Sequence, residues 1–317
     1  MWNVIEIVLP VFLIIGLGYT IRRTGLVDAH FFAQTNGLVF YVCLPILLFY
    51  KIGSADFSTN FNIGLVAATS IAVGCCFLLA YFYGTWRKYP APAHGAFCQG
   101  AFRGNLAYIG LAIVYNAYGD AGLTRAGILL GFLVPVLNFF AILALVLPQQ
   151  HQRTNYQEVI KQIIFNPLIL ASLVGILWSF FHLPMPTILD RSLNIATGMT
   201  LPLALISIGG SFSLDKLRGD IRKAALATTI KLIVLPLITT GFMLFFNISG
   251  LDFAIGLLMA GAPTAVATYI MADKMGADSE LAGAIVVLAT ASSAFSYSLL
   301  LFWLHLQGIY QVMAYSQ

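Results

Sequence analysis

Arg103 is the residue from which the chemistry of this chain has to be read. It stands in the run Phe102-Arg103-Gly104-Asn105-Leu106-Ala107-Tyr108-Ile109-Gly110, nine residues beyond His94 in an apolar stretch. At about 1.5 Å per helical residue that is roughly 13 Å into a membrane span, where a guanidinium costs about 2.5 to 3.5 kcal/mol. Such a charge must face protein or a wet cavity. It either pairs an anion, with two parallel hydrogen bonds available, or binds carbonyl groups freed by a broken helix. Asn105 offers amide donors to a carboxylate, or caps the helix that restarts after the break. A second interruption follows at Met259-Ala260-Gly261-Ala262-Pro263-Thr264-Ala265-Val266. Half-helix N-termini at such breaks present unpaired N–H groups and a positive dipole end, which suit an anion. The expected substrate-binding set is Arg103, Gly104, Asn105, Tyr108, Gly110, Pro263, Thr264, Ala265 and Thr268. Pro45, Pro202 and Gly261 are expected to shape helices.

Other chemistry finds little support. Cys43, Cys75, Cys76 and Cys98 lie in apolar segments without a C-x-x-C pair, and the five histidines share no ligand spacing. No metal and no cofactor is expected. An intramembrane enzyme would need a nucleophile with its base, or paired ligands, on facing helices; neither constellation is visible. A receptor is disfavoured by short loops. Glu6 and Asp252 fall near span ends, so a carboxylate proton relay has weak support. Lys231, seven residues into its span, is expected to snorkel to the interface. Ser292, Ser293, Ser296 and Ser298 are expected to serve close helix packing.

These residues must be held by membrane helices. Of 317 residues, 60% are hydrophobic and 9% charged, and the mean hydropathy is +0.90. Soluble domains carry roughly 25% charged residues. The net charge of +4 comes without a basic patch, which excludes a nucleic-acid footprint. Runs long enough to span a bilayer lie at Val4 to Ile21, Gln34 to Lys51, Phe61 to Trp86, His94 to Tyr118 and Gly122 to Leu147. Five more follow at Ile163 to Phe181, Leu193 to Phe212, Ala224 to Phe246, Phe253 to Ala272 and Leu281 to His305. The first run lacks a basic leader and a small-residue cleavage site, so it reads as a retained span.

Alternate loops differ in charge. Arg22, Arg23, Arg87, Lys88, Arg153, Lys161, Lys216, Arg218, Arg222, Lys223 and Lys274 fall on one side; Lys51, Arg125 and Arg191 fall on the other. The positive-inside rule puts both termini outside the cytoplasm of a plasma (inner) membrane. The loop Gln149 to Gln162 should then face the cytoplasm. Sliding the chain by 157 residues overlays Pro10 on Pro167, Pro45 on Pro202, Gly18 on Gly175 and Gly53 on Gly210. Gly84 then meets Gly241, Gly104 meets Gly261 and Gly119 meets Gly276. Two five-helix halves, 1–150 and 151–317, must sit inverted to one another because five is odd, and inverted repeats are frequent in secondary transporters.

The F-R-G-N-x-x-x-x-G run at Phe102 and the A-P-T-A-V run at Ala262 resemble the fourth- and ninth-helix motifs of the auxin efflux carrier family. The opening P-V-F-L-I-I-G-L-G-Y, then Asn36, Leu44-Pro45 and Lys231 to Pro236, look like the same family. The resemblance implies an all-α membrane fold of ten helices with broken, crossing fourth and ninth helices, similar to bile-acid symporters and sodium/proton antiporters. It also implies transport of a small organic anion, such as malate, malonate or an auxin-like carboxylate, by alternating access. The chain departs from the pattern at Ala112, where proline is common, and at Ala267 and Thr268, where bacterial members often carry asparagine. A sodium- or proton-coupled symporter of another substrate is the nearest alternative, and coupling and a homodimer are left open.

Overall fold

Inside a bilayer every backbone N–H and C=O must find a partner within the protein, and helices do this most simply. The computed structural model describes residues 2–149, 165–212 and 220–308. Its helices are α1 (Trp2–Arg23), α2 (Ala29–Gly53), α3 (Ile63–Trp86), α4 (Ala91–Phe102), α5 (Leu106–Val146) and α6 (Pro167–Phe180). They continue as α7 (Thr187–Ser211), α8 (Ile221–Phe245), α9 (Gly250–Ala260), α10 (Ala267–Lys274) and α11 (Ser279–Leu306). Seven of them (α1, α2, α3, α5, α7, α8 and α11) are long and apolar enough to cross a membrane. The chain is an integral membrane protein. Among the described residues there is no strand, only an isolated antiparallel bridge between Gly104 and Thr264.

Local sequence explains where the helices start and bend. Asp28, Asn62, Asn166, Asp220 and Asp278 accept backbone N–H groups at the first turns of α2, α3, α6, α8 and α11. The hydrogen bond from Lys223 holds the Asp220 carboxyl below the usual carboxylate range. Within α2 and α8 one π turn each, Val39–Cys43 and Ile230–Val234, directly precedes Leu44-Pro45 and Leu235-Pro236. Proline cannot donate and its ring crowds the preceding turn, so the chain widens there rather than breaking. The two expected spans His94 to Tyr118 and Gly122 to Leu147 stay distinct as two helical segments of α5, the first of them reached through α4 and the break after Phe102. α5 kinks between them at Gly119, which adopts φ +59°. Gly276, at the end of α10, has φ +67°, so both members of this overlaid pair sit in left-handed backbone that glycine alone takes without strain. The seventh span starts at Thr187, six residues earlier than expected.

The helices form two groups. α1 packs on α7 and α2 on α6, with α7 also touching α2; α3, α4, α8, α9, α10 and α11 pack together, and α5 meets both groups. The crossings within the first group are close. A Cβ added to Gly18 would lie 2.2 Å from the Ile206 carbonyl oxygen, and one added to Gly175 would lie 3.1 Å from that of Phe49. These contacts are offset by the same 157 residues on both sides (175 − 18 and 206 − 49). On α1, Val4, Ile7, Val8, Val11 and Ile15 are buried, while Ile5, Leu9, Leu13 and Leu17 form an exposed stripe at four-residue spacing. In a membrane protein that stripe faces lipid. Of the basic residues counted above, Arg153, Lys161, Lys216 and Arg218, with most of the Gln149 to Gln162 loop, lie outside the described residues.

Candidate functional site

α4 and α9 each stop at mid-chain, and the interrupted backbones satisfy one another. The Asn105 N–H donates to the Pro263 carbonyl (2.7 Å), and the Ala265 N–H donates to the Arg103 carbonyl (2.9 Å). The Thr264 hydroxyl donates to the Gly100 carbonyl (2.8 Å). Arg103 itself is extended, with φ −74° and ψ 97°. Gly104 is needed at the crossing because a Cβ there would come within 2.9 Å of Leu106 Cδ2 and 3.3 Å of Lys231 Cε. Beyond the crossing the chain restarts as α5 and α10, whose first residues Leu106, Ala107, Val266 and Ala267 line a cavity of about 210 Å³. Two helix N-termini therefore open onto the same space.

The polar side chains around that cavity are Arg103, Asn105, Tyr108, Asn36, Asn138 and Asn166, and among the described residues no carboxylate lines it. Arg103 Nη2 donates to Asn138 Oδ1 (3.0 Å), and Nη1 points at the Met271 thioether. With its amide oriented to match its neighbours, Gln99 accepts from Arg103 Nη1 (3.1 Å) and donates to the Thr268 carbonyl (3.2 Å). The Tyr108 hydroxyl donates to Asn36 Oδ1 (2.7 Å), and the Leu168 N–H donates to Asn166 Oδ1 (2.9 Å). Three asparagine oxygens are thus occupied by protein donors. Their NH₂ groups find no acceptor among the described residues.

Of the residues expected to bind substrate, Arg103, Gly104, Asn105, Tyr108 and Ala265 line the cavity. Gly110, Pro263, Thr264 and Thr268 sit at or behind the crossing and do not. Gly110 donates its N–H to the Asn105 carbonyl (3.1 Å), and Thr268 is fully buried with its hydroxyl unpaired among the described residues. Pro45 follows the α2 π turn and Gly261 caps α9, while Pro202 lines a second cavity. Lys231 corrects an expectation. It does not snorkel; its side chain is 0% exposed, and Nζ donates to the Ala260 carbonyl (2.7 Å), one of the acceptors left over where α9 ends. Asn138, Asn166, Gln99 and Met271 were not legible as site residues. The available signal was an asparagine inside an apolar run, Leu137-Asn138-Phe139, since polar groups in spans usually face the protein interior.

The second cavity, about 300 Å³, is lined by Pro10, Lys51, Asn116, Asp120, Asn194 and Pro202, among others. On α5 it reaches Ala112, one turn from Tyr108 of the first cavity. At its rim Lys51 pairs with Asp120 (2.6 Å). Tyr50 and Asp190 (2.9 Å), and Arg125 and Asp252 (2.8 Å), form further polar pairs at span ends. At other span ends Lys223 lies over the Tyr89 ring (5.1 Å), and the Asp278 N–H donates to the Pro92 carbonyl (3.1 Å).

Interrupted helices meeting at buried, donor-lined backbone within an all-helical membrane fold define a transport protein. Comparison with known proteins agrees, with residues 3–162 and 148–301 matching the membrane transport protein family. The chain belongs to that family, the auxin efflux carriers. An uncharacterized transporter of Methanothermobacter thermautotrophicus is 24% identical over 93% of this chain and 96% of its own length. A protein provisionally designated a malonate transporter in Rhizobium meliloti is 23% identical over 95% and 96% respectively. Auxin efflux carrier component 6 of Arabidopsis thaliana is 26% identical over 38% of this chain and 22% of its own.

Proposed function

We propose that this transporter is a secondary carrier of a small organic anion, a dicarboxylate such as malonate or malate or an auxin-like carboxylate, working by alternating access. The observation that carries the reading is the donor lining of the cavity at the crossing. Arg103 supplies a permanent charge, three asparagines turn NH₂ groups outward from occupied oxygens, and two helix N-termini add positive dipole ends. Arg103, Gly104, Asn105, Tyr108 and Ala265 form the first contacts in this reading; Pro263, Thr264, Thr268 and Gly110 hold the backbone that shapes them. A lining that carries a guanidinium and, among the described residues, no carboxylate disfavours cations. The malonate designation of one relative agrees with it. Access from either side is supported by two cavities separated by one turn of α5.

Ten spans in two inverted halves, 1–150 and 151–317, complete the proposal. Its support is the glycine contacts repeated at 157 residues and the two left-handed glycines at 119 and 276. We place the protein in the plasma membrane with both termini outside the cytoplasm, on the uneven split of Lys and Arg between the two sets of span ends. Uptake of labelled malonate or malate into proteoliposomes tests the activity. Saturable uptake or exchange is expected, and its absence for every carboxylate tried would sink the carrier reading. Sidedness is tested with an impermeant thiol reagent on intact cells, in a background without the native cysteines. Cysteine at Ser54 should label, and cysteine at Lys88 should not; the reverse pattern refutes the orientation.

A further inference from the structure

The crossing holds two basic side chains and, among the described residues, no carboxylate. Gly104 separates them: on one side it lines the cavity beside Arg103, and on the other a Cβ would lie 3.4 Å from Lys231 Nζ. Lys231 is 0% exposed, and its single partner among the described residues is the neutral Ala260 carbonyl. Neither Arg103 nor Lys231 pairs with a carboxylate among the described residues. Among the described residues, the acids carried by the elements around the Lys231 turn are Glu280 at the start of α11 and Asp252 at the start of α9, and neither pairs with Lys231. α3 brings Cys76, whose thiol is given to the Ala101 carbonyl, and α4 brings Cys98, given to the Phe77 carbonyl, and Arg103. α11 carries buried Tyr297, with its hydroxyl unpaired, and α9 carries Asp252, tied at its far end to Arg125.

From this arrangement we infer that Lys231 is a proton-binding site linked to the anion cavity: it is a neutral amine when the cavity is empty and an ammonium when an anion is bound. Two like charges in a water-poor region are relieved by losing a proton or by gaining an anion. Arginine keeps its proton, so the group that yields is Lys231. A neutral amine still donates to the Ala260 carbonyl, so the same contact serves both states. When an anion enters, the lone pair on Nζ takes a proton from water, and the anion is carried with that proton. Coupling of this kind needs no carboxylate relay.

The inference rests on the anion-carrier reading, and the test separates the two. Malonate, then malate, is added to purified protein in nanodiscs with weak buffer and a pH indicator, at about pH 7 to 9, where both carboxyl groups are ionised. Bound anion should draw up to one proton, and affinity should fall about tenfold per pH unit above the titration midpoint. Lys231→Arg should bind without taking up a proton and with a flat pH profile. Lys231→Gln, which also removes the titrating group, should lose uptake of the proton and bind weakly at every pH. Binding to the natural protein with no proton uptake, or equal uptake in both variants, overturns the inference alone. Failure of malonate, malate and an auxin-like carboxylate alike to bind at any pH removes the carrier reading and this inference with it.

Discussion

Between α4 and α5 the chain brings Arg103 and Asn105 to the cavity, whereas between α9 and α10 it brings backbone, Ala265 and Val266. Thr264 and Thr268 of the second break turn into the protein, one onto the Gly100 carbonyl and the other with no partner among the described residues. The cation at the end of α4 belongs to the break itself; the one at the end of α9 arrives from α8 as Lys231. Each basic group lies at a helix C-terminus, where the negative dipole end favours a positive charge, and Lys231 alone reaches a leftover carbonyl. A common backbone solution thus carries unequal side-chain duties. In the proposed reading the first break reads the ligand, and the second holds the geometry and, on our inference, the proton.

The largest effect should come from the reading break. Arg103→Gln removes a charged donor whose hydrogen bonds are worth about 1.5–3 kcal/mol, so the KM for malonate uptake should rise at least tenfold while the protein still purifies as a folded species. Arg103→Lys keeps charge but not the fork to Asn138 and Gln99, and should fall between the two. An unchanged KM in Arg103→Gln would dissolve the contrast. Next in size is a packing test of the paired helices. A Cβ on Gly209 would lie 1.9 Å from the Ile15 carbonyl oxygen, while one on Gly175 meets Ile52 and Phe49 atoms at 3.1 Å. Gly209→Ala should lower stability by about 1–3 kcal/mol and Gly175→Ala by less, seen as a larger drop in melting temperature. Equal drops would mean that the two pairings tolerate strain alike. Asn138→Leu should raise KM several-fold through a loosened Arg103, with about 1 kcal/mol lost.

Much of this site was readable in advance. Arg103, Gly104 and Asn105 announced themselves because a charge, a glycine and an amide in an apolar run have few permitted placements. The Pro45 and Pro236 turns follow from proline's missing donor, though the sequence does not say that the helix widens instead of kinking. Lys231 was misjudged because its distance from the span end allowed snorkelling; what overrides it is the broken α9, whose free carbonyl lies 29 residues further on. Asn138 escaped for the same reason, since its partner Arg103 is brought near only by folding, whereas Asn166 is a local helix cap whose place beside the cavity is what folding adds. The turn inside α5 was legible as well, because Gly119-Asp120 stands between the two expected spans and Gly119 is where the backbone leaves the helix.

The smallest expected effect is the sharpest test of the contrast between the breaks. Thr268 stands where a second clamp on the substrate was expected, yet it is fully buried, does not line the cavity, and its hydroxyl lacks an acceptor among the described residues. Its carbonyl, by contrast, takes the Gln99 amide that also holds Arg103. Its backbone therefore matters and its hydroxyl does not. Thr268→Val keeps the branched shape and the carbonyl while deleting an unpaired polar atom, which costs free energy when buried. Malonate KM should stay within twofold, and the melting temperature should hold or rise, with at most about 1 kcal/mol gained. A fivefold rise in KM at unchanged stability would show that the hydroxyl reaches the anion in another state of the transport cycle. Both breaks would then read the ligand, and the division of labour argued here would fail.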